Sequence, residues 1–272
     1  MSLLTSIITG AKSGPRRLLV YGTAGIGKST FATCAPSPVV IQTEDGLGEI
    51  DCHKFPVAQS FDEFMQSLGA LYSENHPYRS VVIDSLDWLE RLIWAKVCTT
   101  RQVATIEDIG YGKGYTFALQ HWRDVLDGLA ALREHRGMTV ILIAHARIER
   151  FENPETEAYD RYVPRLHKTA TALVSEWCDE VLFATYRVFT KATDEGFNQK
   201  RVQGLGSGER VLRATERPSH LAKNRLNLPD ELPLAWSEFA KHLAVTHTEG
   251  SNAIAAASTA VPAQSPTLST NR

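Results

Sequence analysis

The residues Gly22-Thr23-Ala24-Gly25-Ile26-Gly27-Lys28-Ser29 read G-x-x-x-x-G-K-S at every position. That spacing serves one kind of chemistry. Glycines let successive backbone N–H groups turn inward as a nest for phosphate oxygens, and a following helix adds the positive end of its dipole. Lys28 would then reach the β- and γ-phosphates of ATP, the Ser29 hydroxyl would ligate Mg2+, and Thr30 ends the nucleotide-binding stretch. A second motif fits the first. Val81-Val82-Ile83-Asp84 is an apolar run closed by a carboxylate, placed to hold Mg2+ through water opposite Ser29. The plainer alternative for Asp84 is an N-cap of the next helix.

Hydrolysis also needs a group that orients or deprotonates the attacking water. Glu44 follows the apolar run Val39 to Thr43, so it would lie beside the phosphate loop at the C-terminal edge of a sheet, where ligands bind in such folds. Asp45 and Asp87 compete for the role.

These residues need a frame of alternating strands and helices to hold them. Leu18 to Tyr21 is the expected strand entering the Gly-rich loop, and Lys28 to Ala35 begins a helix stopped by Pro36 and Pro38. Strands are expected at Val39 to Thr43, Ser80 to Asp84 and Thr139 to Ala144. Helices are expected at Phe61 to Tyr72, behind the capping pair Ser60 and Glu63, at Asp87 to Val97 and at Phe117 to Arg136. Beyond residue 178 the pattern changes to strands at Asp179 to Thr190, Lys200 to Gln203 and Arg210 to Ala214, separated by Gly-rich turns. A last helix is expected near Ala235 to Val245. The expected fold is therefore α/β: a P-loop NTPase core over residues 1–245, mostly parallel at its centre and extended by antiparallel strands towards the C-terminus. Residues 246–272, rich in Ser, Thr, Ala and Pro, read as a flexible tail.

Composition sets outer limits. The 272 residues are 43% hydrophobic and 22% charged, ordinary for a chain with a packed core. No stretch approaches the roughly 20 apolar residues of a membrane span, so no membrane partner is expected. The four cysteines are scattered without a CxxC pair, which argues against a zinc site and for reduced thiols in the cytoplasm. Net charge is only −2, but it is uneven. Residues 40–110 carry 12 acidic and 5 basic side chains, whereas residues 186–225 carry 9 basic and 4 acidic ones. Such asymmetry suits an anionic partner or head-to-tail contact between subunits.

Taken together, Thr43-Glu44-Asp45-Gly46, the Asp84-Ser85 pair and a polar residue ending the fourth core strand resemble the RecA-like recombinase core, over about residues 15–243. The chain is most similar to short phage-encoded RecA-like single-strand annealing proteins, which implies a phage protein acting in a bacterial host. The resemblance implies Glu44 as catalytic glutamate and His145 as γ-phosphate sensor, where the family often has Gln. It also implies two DNA-contacting loops. The first is Gly110 to Tyr115, with Tyr111, Lys113 and Tyr115 for base stacking and phosphate contact. The second is Arg147 to Arg165, a mobile loop carrying Arg147, Arg150, Arg161 and Arg165. Lys223-Asn224-Arg225 resembles the Lys-Asn-Lys element that recombinase filaments place against a neighbour's ATP. The implied partners are single-stranded DNA, further copies of the chain joined head to tail in a ring or filament, and a single-strand DNA-binding protein. The expected activity is DNA-dependent ATP hydrolysis in annealing or strand exchange. A RecA-fold helicase, or an annealing protein with a purely structural nucleotide site, are the alternatives.

Overall fold

The structure, a computed structural model, describes residues 3–7, 14–195 and 199–243. Its centre is β1 (Arg17–Gly22), buried over its last five residues. Such a strand must have neighbours on both edges and helices on both faces. Its side chains alternate between two cores. Leu19 and Tyr21 pack among α2 (Phe61–Ser73), α3 (Leu86–Arg101), α4 (Lys113–His135) and α5 (Lys168–Trp177). Leu18 and Val20 face the other way, onto α1 (Lys28–Thr33) and the helical residues 236–243.

Among the described residues nine strands form the sheet. The order is β3 (His53–Lys54), β2 (Pro38–Gln42), β4 (Ser80–Asp84), β5 (Thr139–Phe151), β1, β7 (Glu180–Glu195), β8 (Gln199–Arg213) and β9 (Glu231–Pro233), with β6 (Tyr159–Pro164) paired to β5. Pairings from β3 to β7 are parallel, and β7–β8, β8–β9 and β5–β6 are antiparallel. This is the expected P-loop NTPase fold, a mostly parallel sheet flanked by helices and extended by antiparallel strands near the C-terminus.

Several local expectations are corrected. Gly110 to Tyr115 is not one loop, because α4 begins at Lys113 and takes Lys113, Gly114 and Tyr115 into its first turn. Arg147 to Arg165 is not an open loop either: β5 runs on to Phe151 and β6 pairs with it from Ala146↔Pro164 to Phe151↔Tyr159. The Gly-rich stretch expected to separate strands lies inside β8, where Gly204 and Gly206 pair with Thr190 and Val188. Ladder hydrogen bonds along β7 outweigh the modest penalty of glycine in a strand. Helix α5 was not anticipated. The expected flexible tail at 246–272 lies outside the described residues.

Helix ends follow local rules. Ser60 Oγ accepts from Glu63 N at 3.2 Å, while the Glu63 carboxylate turns back one residue further, onto Gln59 N at 2.8 Å. On α3, buried Glu90 accepts the His167 amide at 2.9 and 3.1 Å, fixing the start of α5. Burial pushes its pKa up to about 7, against the pull of that hydrogen bond. The folded chain thus holds a proton that the unfolded chain releases at about pH 4.5. Stability should fall as pH rises from about 4.5 to about 7 and then level off. In denaturant titrations, Glu90→Gln should remove this component of the pH profile, and identical profiles for parent and variant would refute it.

Candidate functional site

The phosphate loop leaves the C-terminal end of β1, between β5 and β7. Two glycines are compelled by geometry. A Cβ on Gly22 would lie 2.2 Å from the Ala184 carbonyl oxygen, and Gly27, the N-cap of α1, has φ of 107°. Lys28 is buried, and its ammonium donates to the carbonyls of Gly22 at 3.1 Å and Thr23 at 2.8 Å. Burial lowers its pKa, opposed by the charges of Asp84, Asp87 and Glu44. The ammonium is thus held over the nest, where an incoming phosphate can replace the carbonyls.

The neighbouring strands bring in the acidic groups. Thr43 N donates to Asp84 O at 2.9 Å, and the Thr43 hydroxyl bonds to the Ser85 backbone as donor at 2.6 Å and acceptor at 2.8 Å. The ends of β2 and β4 are therefore laced together, with a cis peptide at Asp84–Ser85. Ser29 Oγ donates to Asp84 Oδ2 at 2.7 Å, and Ser85 Oγ to Glu44 Oε1 at 2.5 Å. Burial raises the Asp84 pKa; the Ser29 hydrogen bond opposes this and the Glu44 charge adds to it. A hydroxyl beside a carboxylate short of positive charge fits Mg2+, which takes few protein oxygens and completes its shell with water and phosphate. Among the described residues no cluster of three or more His, Cys, Asp or Glu offers an all-protein metal cage.

All of this opens into one cleft of about 310 Å³, lined by the loop and by Glu44, Asp84, His145 and Arg210. A model of the AAA domain family AAA_24 matches residues 14–226. The chain belongs to that family. Its members are P-loop ATPases, and nucleotide binding and hydrolysis go with the domain. The chain is also 24% identical over 172 residues to the SPbeta prophage-derived uncharacterized protein YorG of Bacillus subtilis (strain 168). The match covers 61% of this chain and 49% of YorG, so the chain spans about half the length of that relative. Among the described residues no helix of this AAA domain is long and apolar enough to cross a membrane.

Beyond the cleft the AAA domain places its other candidate residues differently. His145, at the end of the buried run of β5, lines the cleft while its Nδ1 lies 3.1 Å from both Asp87 oxygens. A carboxylate only accepts, so Nδ1 carries the proton, and the Arg165 contact to that nitrogen at 3.3 Å is no hydrogen bond. Asp87 also accepts from His145 N at 3.1 Å and from Arg165. Although burial opposes it, this set of donors holds the Asp87 pKa well below the usual carboxylate range. Asp87 is a clamp on β5 and the base of the hairpin, not a free carboxylate for activating water.

The other arginines are partly engaged. Arg161 pairs with Glu216 at 3.1 Å under the Phe151 ring, and Arg147 pairs with Glu149. Arg150 is open, with carboxylates no nearer than 3.9 Å among the described residues. Tyr111 is fully exposed at 102%, beside exposed Lys113. Tyr115 is half-buried, with His167 stacked on one face at a centroid distance of 4.0 Å and Trp94 in a T-shaped contact at 5.6 Å, so little of its ring is open to a base. Lys223 lies at the end of α5: its ammonium donates to the carbonyls of Ser175, Glu176 and Cys178 at 2.7–3.1 Å, capping that helix within its own subunit. Arg225 lies 3.4 Å from Asp179. The sequence reading missed Arg210, which β8 and β9 return to the cleft, and Ser85, which steadies Glu44; the Asp84-Ser85 pair was the available signal for the latter.

Proposed function

We propose that this AAA domain binds Mg-ATP, uses Glu44 to activate water, and couples hydrolysis to holding single-stranded DNA in recombination, by annealing or strand exchange. One observation carries the reading. The nucleotide cleft and the exposed β5–β6 hairpin lie at the same C-terminal end of the buried run of β5, joined through His145, Asp87 and Arg165. A change at the terminal phosphate that draws on His145 would alter the partner of Arg165, and hence the hairpin. Exposed Ile148, Phe151 and Tyr162 on that hairpin, and exposed Tyr111 and Lys113 at the start of α4, supply apolar surface, ring faces and a cation for a flexible strand. The prophage origin of YorG supports a phage setting, with the protein acting in a bacterial cytoplasm. Head-to-tail assembly and contact with a single-strand DNA-binding protein belong to the same proposal, with Lys223 and Arg225 as the cations offered to a neighbour's site. In this reading Mg2+ would be held by Ser29 and Asp84, and would neutralise charge on the β- and γ-phosphates.

Fluorescence anisotropy with a labelled oligonucleotide tests the DNA part. With three to five cationic contacts, log K against log salt should slope by roughly −2 to −3.5. Tyr111→Ala should cost about 1–3 kcal/mol for each base it stacks. A flat salt dependence together with an unaffected Tyr111→Ala variant would remove DNA from the function.

A further inference from the structure

A second recess, of about 250 Å³, stands apart from the phosphate cleft and shares no lining residue with it. One wall is the turn Arg217-Pro218-Ser219-His220, closed by His220 N donating to Arg217 O at 3.0 Å, with proline at the second position that such turns favour. The turn exposes Ser219 and buries His220, which is 1% exposed and stacked on Phe183 with ring centroids 5.3 Å apart. Tyr162 N donates to Ser219 O at 2.9 Å and Leu221 N to Tyr162 O at 3.0 Å, so β6 holds the turn on either side of the imidazole.

These contacts fix a chemical arrangement. Nε2 of His220 lies 3.0 Å from the Thr215 carbonyl, which can only accept, so Nε2 carries the proton. Burial and the charge of Arg213 lower the His220 pKa, against the pull of the Thr215 hydrogen bond, and the ring is neutral at pH 7. Nδ1 therefore keeps its lone pair, and Ser219 Oγ, 2.9 Å away, donates to it. A hydroxyl bonded to a base that a third group orients is the arrangement that makes a serine nucleophilic. The recess also supplies positive charge. Arg213 meets Glu231 only through Nε at 3.4 Å, and its Nη groups have no partner among the described residues. Arg217 pairs with Asp230 at 2.6 Å, in an exposed ion pair of the weak kind.

We infer that Ser219 is an acyl-acceptor site, taking an acyl group from an activated ester with His220 as base and Arg213 as the cation that steadies the oxyanion. The step balances: Ser219 Oγ bonds to the carbonyl carbon, and its proton passes to Nδ1. The bond to the leaving oxygen breaks, and that oxygen takes the proton from Nδ1. The acyl group is then retained, because buried His220 lies behind Oγ and a hydrolytic water cannot reach Nδ1 past the acylated serine. This site does not depend on what occupies the phosphate cleft.

In the full chain, p-nitrophenyl acetate serves as the ester, with nitrophenolate release followed by absorbance and acetylated peptides by mass spectrometry. A single fast phase is expected, stoichiometric with the chain, with the acetyl group on Ser219. A base so placed contributes about 10²–10⁴-fold, so Ser219 should react at least about a hundredfold faster than the other serines. Ser219→Ala, at an exposed turn position, should keep the parental melt and lose the fast phase. His220→Gln should slow that phase by about a hundredfold or more. Because His220→Gln also disturbs packing on Phe183, the pH profile of the parent chain is an independent readout. With a neutral imidazole as base the rate should be level from about pH 7 to about pH 9, whereas a serine reacting without it quickens about tenfold per pH unit. A fast phase that survives in Ser219→Ala, acetylation confined to lysines, or the tenfold climb at Ser219 overturns the site. Release that continues beyond stoichiometry and is lost in Ser219→Ala overturns the retention of the acyl group.

Discussion

Glu44→Gln is expected to bind Mg-ATP as tightly as the parent chain and to hydrolyse it about 10²–10⁴-fold more slowly. Gln keeps the shape of Glu and an oxygen that can accept the Ser85 hydroxyl, now 2.5 Å from Glu44 Oε1. What it loses is the basicity needed to take a proton from water. Single-turnover hydrolysis measured beside equilibrium binding separates these effects. Asp87→Asn is the control, because the structure commits Asp87 to His145 and Arg165 rather than to the reaction. That substitution should loosen the base of the hairpin with a smaller effect on the chemical step. If it abolishes hydrolysis with stability unchanged while Glu44→Gln stays active, the base has been assigned to the wrong carboxylate.

Lys28→Ala removes the cation held over the phosphate nest. Loss of one preorganised donor to charge that develops in the transition state typically costs about 10²–10³ in rate. Here the group is charged and buried, so ATP turnover should fall at least that far, with weaker binding as well. The fold should tolerate the change better than the chemistry does. The ammonium's two carbonyl partners lie in the loop itself, and burial already disfavours its charged form. A steady-state ATPase assay with a thermal melt checks both parts. Parental turnover in a pure, folded preparation would take Lys28 out of the mechanism.

Much of the half of this molecule around the phosphate loop was legible because its signals are local. A strand, a Gly-rich turn and a helix start are contiguous from Leu18 to Thr33, and Asp84 and Glu44 each announce themselves by ending an apolar run. Parallel strands buried on both faces spell out their own positions. The contacts that the sequence did not foretell depend on long-range pairing. Nothing near Lys223 signals that three carbonyls at the end of α5 will surround it, and a Lys-Asn-Arg triplet looks the same on a capped helix as on an exposed turn. The resemblance implied a mobile loop over Arg147 to Arg165, yet Glu149 and Asp160 sit within the antiparallel hairpin and pair in register with Arg161 and Arg150. Arg210 lay beyond reach of the sequence, since its approach to Gly27 follows from how β8 and β9 turn back over α1.

The position of β1 has a consequence for how the chain comes together. Its two edge partners are distant in sequence: Leu18 aligns with Ile141 on one side and Glu180 on the other. During vectorial synthesis the apolar run Leu18 to Tyr21 is made long before either partner exists, and closing such wide loops is slow. Gly22 must also wait for Ala184, against which it is fitted. Nucleotide therefore has no cradle to bind while the first half of the domain is emerging, and cannot template its folding. The motif most easily read from the sequence is assembled late, and a chain stalled before residue 184 would carry the complete P-loop sequence without its function.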